Sequence, residues 1–313
     1  MSLPPPTFSV GRDEFHLTWD PAIAPIATVG SGSVVEFDCL DASGGQITAA
    51  STVSDLATLD FSRVDQVNGP IAVEDAEPGG SLQIDILELT TADWGWTGIF
   101  PGFGLLADDF VEPACKITRL TPGAPTVEFW PGITIPLAPF CGEMGVAPDA
   151  GPLSTIPPDL HGGNMDTRHL VAGSTLFLPV FAPGGRFSIG DGHATQGDGE
   201  VCGTAIETPM RALVRLTARP DLHVSGPEFL AAPDPNAALR NGRRYATDGV
   251  GPDPMTAARD AVRRMIDWLG REHGLSADRA YMLCSVAVDL RISEIVDMPN
   301  VVVTAHCPLG IFA

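Results

Sequence analysis

The chain has 313 residues, of which 44% are hydrophobic, and its formal net charge at pH 7 is −21. This length is sufficient for a large buried core, whereas the negative charge excludes nucleic acid and anionic membrane surfaces as partners. No basic segment followed by an apolar run stands at the N-terminus, and no stretch of about 18 apolar residues occurs. Together with six cysteines that form no Cys-x-x-Cys pair, these features predict a soluble, cytoplasmic protein with reduced thiols and no membrane partner.

The sequence pattern of the N-terminal half predicts short strands separated by turns. Ser33–Asp38, Pro70–Val73 and Ser81–Leu89 are rich in strand-forming residues, and turn clusters such as Asp41–Gly45 and Glu77–Gly80 separate them. In Ser81–Leu89 aliphatic and polar side chains alternate, which is typical of a half-buried antiparallel strand.

Helices are predicted only near the C-terminus. Asp253-Pro254 begins a segment with apolar residues at steps of three and four that ends at Gly274. Ser276 is expected to cap a second helix that extends to about Leu290, and Val301–Thr304 is expected to be a central strand. The predicted fold class is therefore mainly β, with a sandwich-like or barrel-like core of antiparallel strands and C-terminal α-helices packed on it, α+β overall.

The whole chain, residues 1–313, is predicted to form one unit. The alternative is two closely packed subdomains. In that case a β-sandwich would occupy about residues 1–150, and a β-rich part with the helices and the main polar motifs would occupy about 151–313.

The segment Gly190–Glu200 is the most informative stretch for function, since it places two Asp, one His, one Gln and one Glu among glycines. Asp191 and His193 are two residues apart, so on an extended strand their side chains would point to the same face. Carboxylate and imidazole are ligands that Zn²⁺ accepts, so the segment indicates a hydrolytic metal centre. A polar hairpin with Gly-Asp turns, or a purely structural cation loop, is the alternative.

A second polar cluster, His161-Gly-Gly-Asn164-Met-Asp166, lies 30 residues upstream. His161 and Asp166 could join the same metal, and Asn164 could serve as an oxyanion or amide-orienting donor. Glu143 is a carboxylate in an apolar context that would raise its pKa. As isolated residues these would be ordinary turn formers and a surface glutamate.

Aromatic residues beside glycines predict a small, tight substrate pocket. Trp94, Trp96 and Phe103 are the candidate wall, and Gln196 is the candidate polar contact. For each aromatic residue taken singly, core packing is the simpler interpretation.

Nucleophilic mechanisms find little support in the sequence. Lys116 is the only lysine and lies in a strand-like segment, so neither Cys202 nor the short Gly30–Ser33 run has a lysine partner for amidase chemistry. The chain has no Gly-x-Ser-x-Gly motif in a suitable context. The sequence therefore favours a mechanism in which a metal or a carboxylate activates water.

These residues resemble the acetamidase/formamidase family. The matching motifs are Asp41-Ala-Ser-Gly-Gly-Gln46, Trp94-Gly-Trp96, Pro101-Gly-Phe103-Gly, His161-Gly-Gly-Asn164-Met-Asp166, and Gly190–Glu200 followed by Gly203-Thr-Ala-Ile-Glu207. They extend from about residue 16 to about residue 300 in the family's order. Gly80, where members usually have Asp, and Asn68 depart from the pattern.

The resemblance implies hydrolysis of a short aliphatic amide, formamide or acetamide, to carboxylate and ammonia by a homo-oligomer with a divalent metal near Asp191. The metal, Zn²⁺ with Ca²⁺ as the alternative, would be held by Asp191, His193 and either His161 or Asp166. Glu200 or Asp198 would be the general base and later the proton donor to ammonia. A non-catalytic β-rich binding protein with a structural cation site is the alternative, and an open coordination position beside an aromatic pocket distinguishes the two.

Overall fold

The computed structural model of the chain describes residues 3–233 and 242–312. Strands account for 39% of the residues and helices for 14%, and the helices are few and lie mostly near the C-terminus, which confirms the predicted fold class. The strands in chain order are β1 (Phe8–Val10), β2 (Phe15–His16), β3 (Thr18–Trp19), β4 (Ala27–Val29), β5 (Ser33–Cys39), β6 (Val67–Val73), β7 (Ser81–Thr91), β8 (Trp94–Ile99), β9 (Ala114–Arg119), β10 (Thr126–Trp130), β11 (Ile133–Pro136), β12 (Phe140–Gly145), β13 (Leu153–Ser154), β14 (Gly162–Asn164), β15 (Thr175–Pro179), β16 (Phe187–His193), β17 (Met210–Arg219), β18 (Glu228–Leu230), β19 (Arg244–Gly251), β20 (Asp289–Glu294) and β21 (Val301–Pro308). The α-helices are α1 (Val53–Leu56), α2 (Pro254–His273) and α3 (Ala277–Ala287), and the 3₁₀ helices are Phe61–Arg63 and Leu309–Ile311.

Two six-stranded sheets form the centre of the molecule. The first has the order β1-β5-β17-β7-β15-β18, and the second has the order β14-β12-β16-β6-β2 with β4 also beside β6. Neighbouring strands are antiparallel except for the parallel pairs β1/β5 and β4/β6. The strands come from distant parts of the chain, so the sheets bring together residues that are far apart in sequence.

One apolar core joins the two sheets. Phe37, Ile84 and Val214 from the first sheet and Ile71 and Phe187 from the second belong to one cluster of buried side chains. This arrangement confirms a sandwich core, because each sheet buries one face against the other.

The predicted strands are present and mostly longer than predicted. Ser33–Cys39, Val67–Val73 and Ser81–Thr91 contain the three predicted segments. The pairing of β7 with β17 shifts register opposite Leu213 and Val214, and this bulge leaves Leu87 half-buried after the strict alternation of the first residues.

The long helix α2 begins and ends where local signals predict. The Asp253 carboxylate accepts a hydrogen bond from the Thr256 N–H at 2.9 Å, and Pro254 occupies the first turn. At the other end Gly274 has φ +64°, the left-handed conformation that closes a helix without steric penalty for glycine.

The predicted end of the following helix is wrong. Helix α3 ends at Ala287, and Leu290 belongs to β20, which pairs with β21. The Ser276 side chain makes no capping hydrogen bond. Non-local pairing with β21 therefore decides the conformation of residues 289–294, and local helical periodicity does not reveal it.

The helices cover a second core beside a three-stranded sheet of order β19-β21-β20. Strand β21 is central there, as predicted, and extends to Pro308. In the described ranges, no helix combines the length and apolar character needed to span a bilayer.

The two departures from the family pattern lie in tightly packed backbone. The Asn68 side chain is buried and donates to the Gly11 carbonyl at 2.9 Å. At Gly80 a Cβ atom would lie 3.2 Å from the Arg219 carbonyl oxygen. Each departure therefore concerns local packing.

Candidate active site

Strand β16 supplies the central pair of the candidate site. Asp191 Oδ2 lies 3.0 Å from His193 Nε2, and both residues are buried. Asp191 has φ +51°, so the strand is locally irregular although both side chains share one side. Burial raises the pKa of Asp191, but the neighbouring His193 outweighs it and lowers that pKa.

Glu207 and Gln196 complete the environment of the imidazole. Glu207 Oε2 lies 3.0 Å from His193 Nε2, and the other oxygen, Oε1, accepts the Ala205 N–H at 2.7 Å. His193 Nδ1 donates to Gln196 Oε1 at 2.9 Å, and Gln196 Nε2 donates to the Asp166 carbonyl at 3.0 Å. His193 Nε2 therefore faces the carboxylates of both Asp191 and Glu207. These two negative charges repel each other, so a positive charge between them is needed to stabilise the arrangement.

A proton is one such charge. Burial lowers the pKa of His193, but Asp191 and Glu207 outweigh it and hold the pKa well above its usual value. A divalent metal ion would supply the same charge, because Nδ1 donates to Gln196 and the Nε2 lone pair would then be free to act as a ligand.

Asp166 and Glu200 form a second carboxylate pair beside the imidazole. Burial and the charge of Asp191 raise the pKa of Asp166 to about 7, although interaction with the Glu200 side chain lowers it. Glu200 Oε1 lies 3.9 Å from His193 Nε2. Asp166 Oδ1 lies 3.9 Å from His193 Nδ1. Burial, and then the charge of Asp166, raise the pKa of Glu200 well above its usual range, so one proton shared by the pair is expected.

Gly142 forms the floor of the site. A Cβ atom at this position would lie 2.5 Å from Asp166 Oδ1 and closer still to Asp191 Oδ2. In protein structures a Cβ atom essentially never lies within 3.0 Å of a non-bonded heavy atom. Only glycine therefore lets both carboxylates occupy their places.

Glu143, the next residue of β12, is fully buried, and neither of its carboxylate oxygens has a hydrogen-bond partner. Its pKa is raised well above the usual value by burial and then by the negative charge of Asp65. Burial and the charge of Asp191 likewise raise the pKa of Asp65 to about 8.

The site carries backbone strain. Six non-glycine residues in the described ranges have positive φ, and four of them are carboxylate residues of this site, namely Asp65, Asp166, Asp191 and Glu200. Such conformations cost about 1–3 kcal/mol each and persist where the surrounding structure enforces them. The strain supports a functional interpretation of the cluster.

A cavity of about 500 Å³ opens beside these carboxylates. Trp96, Phe100 and Phe103 contribute to its wall, as does Asn164, whose Nδ2 donates to the Ile156 carbonyl at 3.1 Å. Trp96 is held by a hydrogen bond from its Nε1 to Asp41 Oδ1 of 2.9 Å. The expectation of a small, tight pocket is wrong, because Phe103 is 47% exposed and stands at the rim without filling the space.

Three predicted site residues lie apart from this group. His161 packs edge-on against Trp19, with ring centroids 5.1 Å apart, and does not line the cavity. Asp198 forms an ion pair with Arg168 of 2.5 Å, outside the cavity. Trp94 packs on the apolar cluster around Trp96 and is absent from the cavity wall.

The backbone from Asp198 to Glu200 is not extended. Residues 198–199 form a turn, and Glu200 has φ +42°. The two carboxylates therefore diverge, with Glu200 near His193 and Asp198 near Arg168.

Sequence reasoning missed Glu207, Asp65 and Gly142 as site residues. Glu207 stands in the motif after Gly203 and bridges by backbone pairing to both Trp96 and His193, so that motif was an available signal. Asp65 belongs to no motif. Gly142 directly precedes Glu143, a predicted site residue, and this adjacency was the available signal for it.

The remaining predicted residues are brought together. Asp166, Asp191, His193, Glu200 and Asn164 share the cavity wall with Trp96 and Phe103. Glu143 and Gln196 stand behind them, since Gln196 contacts the imidazole and Glu143 is buried near the same carboxylates. A buried carboxylate–histidine centre that opens into an aromatic cavity is the arrangement of an enzyme, because a structural cation loop would be closed.

The comparisons with known proteins agree with this class. The model of the acetamidase/formamidase family matches residues 7–154 and 150–313. The chain therefore belongs to the acetamidase/formamidase family and is an amide-hydrolysing enzyme.

Individual relatives span most of the chain. It is 29% identical to a formamidase of Methylophilus methylotrophus, over 96% of this chain and 89% of that protein. It is 32% identical to an acetamidase of Mycolicibacterium smegmatis, over 61% of this chain and 63% of that protein. Among solved structures, a gamma lactamase from Delftia acidovorans has a TM-score of 0.85 at 26% identity, covering 96% of this chain and 89% of that one.

Proposed function

We propose that the chain hydrolyses a linear carboxylic amide to carboxylate and ammonia, with water activated at the Asp191–His193–Glu207 group by a divalent cation. The observation that carries the proposal is His193 Nε2, which lies 3.0 Å from both Asp191 Oδ2 and Glu207 Oε2 at the wall of the cavity. Formamide and acetamide, the amides named for the relatives, are the simplest substrates for this chemistry.

The residues present fit a metal ion. Asp166 Oδ1 and Asp191 Oδ1 are buried oxygens without hydrogen-bond partners, and Glu207 Oε2 faces His193 Nε2 at 3.0 Å. Ligand atoms of Asp166, Asp191 and His193 lie within 4.8 Å of one another, as do those of His193, Glu200 and Glu207. Unsatisfied buried carboxylate oxygens around one imidazole are costly without a cation.

Asp191, His193 and Glu207 would hold the ion, with Asp166 beside them. The imidazole favours Zn²⁺ or a similar transition metal over Ca²⁺, which takes oxygen ligands. When bound, such an ion polarises a carbonyl and lowers the pKa of a water toward about 7.

Glu200 is the proposed proton carrier. It lines the cavity and interacts with the neighbouring Asp166. It would take a proton from the attacking water and return it to the amide nitrogen, because the amide anion is too basic to leave unprotonated. Gln196 orients the imidazole throughout by accepting its Nδ1–H.

The test measures ammonia release and bound metal together. We expect purified protein to release ammonia from formamide, acetamide or propionamide, and a chelator to abolish the release until metal is restored. His193→Ala and Asp191→Asn should each lower kcat/KM at least about 10²-fold and reduce bound metal. His223→Ala, an exposed histidine away from the cavity, is the matched control and should change neither.

Two results would contradict the proposal. Full metal occupancy in both His193→Ala and Asp191→Asn would remove these residues from the ligand set. Activity unaffected by exhaustive chelation would remove the metal from the mechanism.

A further inference from the structure

The cavity is much larger than a short amide requires. Acetamide has four heavy atoms, and at about 30 Å³ for each water-sized group it occupies roughly 120 Å³. The cavity volume is about 500 Å³, which lies within the range of about 300–1,000 Å³ typical of sites for larger organic ligands. About three quarters of the cavity would remain unfilled by acetamide.

The extra space is lined by a row of aromatic rings that leads from the carboxylates to the surface. Trp96 and Phe100 are in edge contact with ring centroids 6.1 Å apart, and Phe100 and Phe61 with centroids 5.4 Å apart. The exposed fraction rises along the row from 2% at Trp96 to 6% at Phe100 and 55% at Phe61. Leu59 adds aliphatic surface to the same wall.

The two ends of the cavity differ in chemistry. Trp96 is paired through its backbone with Glu207, which in turn pairs with His193, so the buried end of the aromatic row adjoins the carboxylate–histidine group. An amide placed at that group therefore directs its acyl substituent along the rings. Apolar surface that is contiguous with a polar reaction centre favours a ligand with an apolar body and one polar group.

We propose that the preferred substrate is an amide whose acyl group is an apolar chain or ring of about five to eight carbons, a size that the remaining volume accommodates. The acyl group packs over Trp96, Phe100 and Phe61, while the amide lies at His193. This inference rests on the proposed amidase function and concerns its selectivity.

The expected effect follows from apolar burial. Each buried methylene is worth about fourfold in binding, and hexanamide has four more than acetamide. Allowing for the open mouth of the cavity, kcat/KM for hexanamide should exceed that for acetamide by at least about 30-fold, mainly through KM. Hexanoate should likewise inhibit competitively at a concentration at least about tenfold lower than acetate.

The experiment compares kcat/KM for acetamide and hexanamide in the metal-loaded wild type and in two variants. Phe61→Ser should lower the hexanamide-to-acetamide ratio about tenfold, since it removes the outermost ring of the wall. Phe15→Ser is the matched control, because Phe15 is a comparably exposed phenylalanine, at 43%, that does not line the cavity. It should leave the ratio within twofold of the wild type.

The outcomes separate the two proposals. Acetamide hydrolysis with a hexanamide-to-acetamide ratio near or below one, and equal inhibition by hexanoate and acetate, would overturn the selectivity while leaving the amidase function intact. A high ratio that Phe61→Ser does not change would overturn the assignment of the acyl group to the aromatic row. Failure to hydrolyse any of the amides would overturn the proposed function together with this inference.

Discussion

Gly142→Ala tests whether the two carboxylates at the floor of the site must keep their positions. The new methyl carbon would lie 2.5 Å from Asp166 Oδ1 and closer to Asp191 Oδ2, whereas real Cβ contacts stay beyond 3.0 Å. Both carboxylates must therefore move by roughly 0.5–1 Å, and a displacement of about 1 Å at a reaction centre can lower the rate about 10²-fold. Overpacking also costs about 1–3 kcal/mol of stability.

The assay measures kcat/KM by ammonia release, bound metal by elemental analysis and the midpoint of thermal unfolding. Gly142→Ala should lose about 10²-fold in kcat/KM and part of its metal while remaining folded. Gly30→Ala is the matched control, because its added methyl would make only ordinary contacts with the end of the Glu74 side chain at 3.6 Å and the Ser33 hydroxyl at 3.9 Å. A Gly142→Ala enzyme within about threefold of wild-type kcat/KM would refute the reasoning.

Three further predictions concern single residues. Glu200→Gln should keep the fold and metal content but lower kcat at least about 10²-fold, with a smaller change in KM; a kcat within about tenfold of wild type would contradict its role as proton carrier. Asp198→Asn should lower the free energy of unfolding by about 1–2 kcal/mol and leave kcat within about tenfold, because Asp198 is paired with Arg168; a collapse of kcat at unchanged stability would instead make Asp198 catalytic. Burial lowers the pKa of His16 and outweighs the hydrogen bond from Nδ1 to the Thr18 carbonyl, which raises it. The contribution of neutral His16 to the free energy of unfolding is therefore complete above the pKa of the unfolded chain, about 6.5, and is lost as pH falls below that value. Denaturant unfolding between pH 7 and pH 5 should show a smaller loss of stability in His16→Asn than in wild type, and identical slopes would contradict this.

The sequence by itself determined the elements whose signals are local. Helix α2 begins at the Asp253 cap and ends before Gly274 because capping and the left-handed glycine act within a few residues. The alternation in Ser81–Ile86 likewise identified the buried face of β7, since strand periodicity does not depend on the partner strand. The spacing of Asp191 and His193 also placed both side chains on one side of β16.

Only the tertiary structure decided which other side chains meet that pair. His161 packs against Trp19 and Asp198 pairs with Arg168, whereas Glu207 meets His193 through an isolated backbone bridge from the irregular segment between β16 and β17. Side-chain direction in irregular segments such as residues 194–207 follows no fixed period, so spacing could not predict it. The sequence did not predict the volume of the cavity either, because the space left between packed elements depends on contacts between residues distant in the chain.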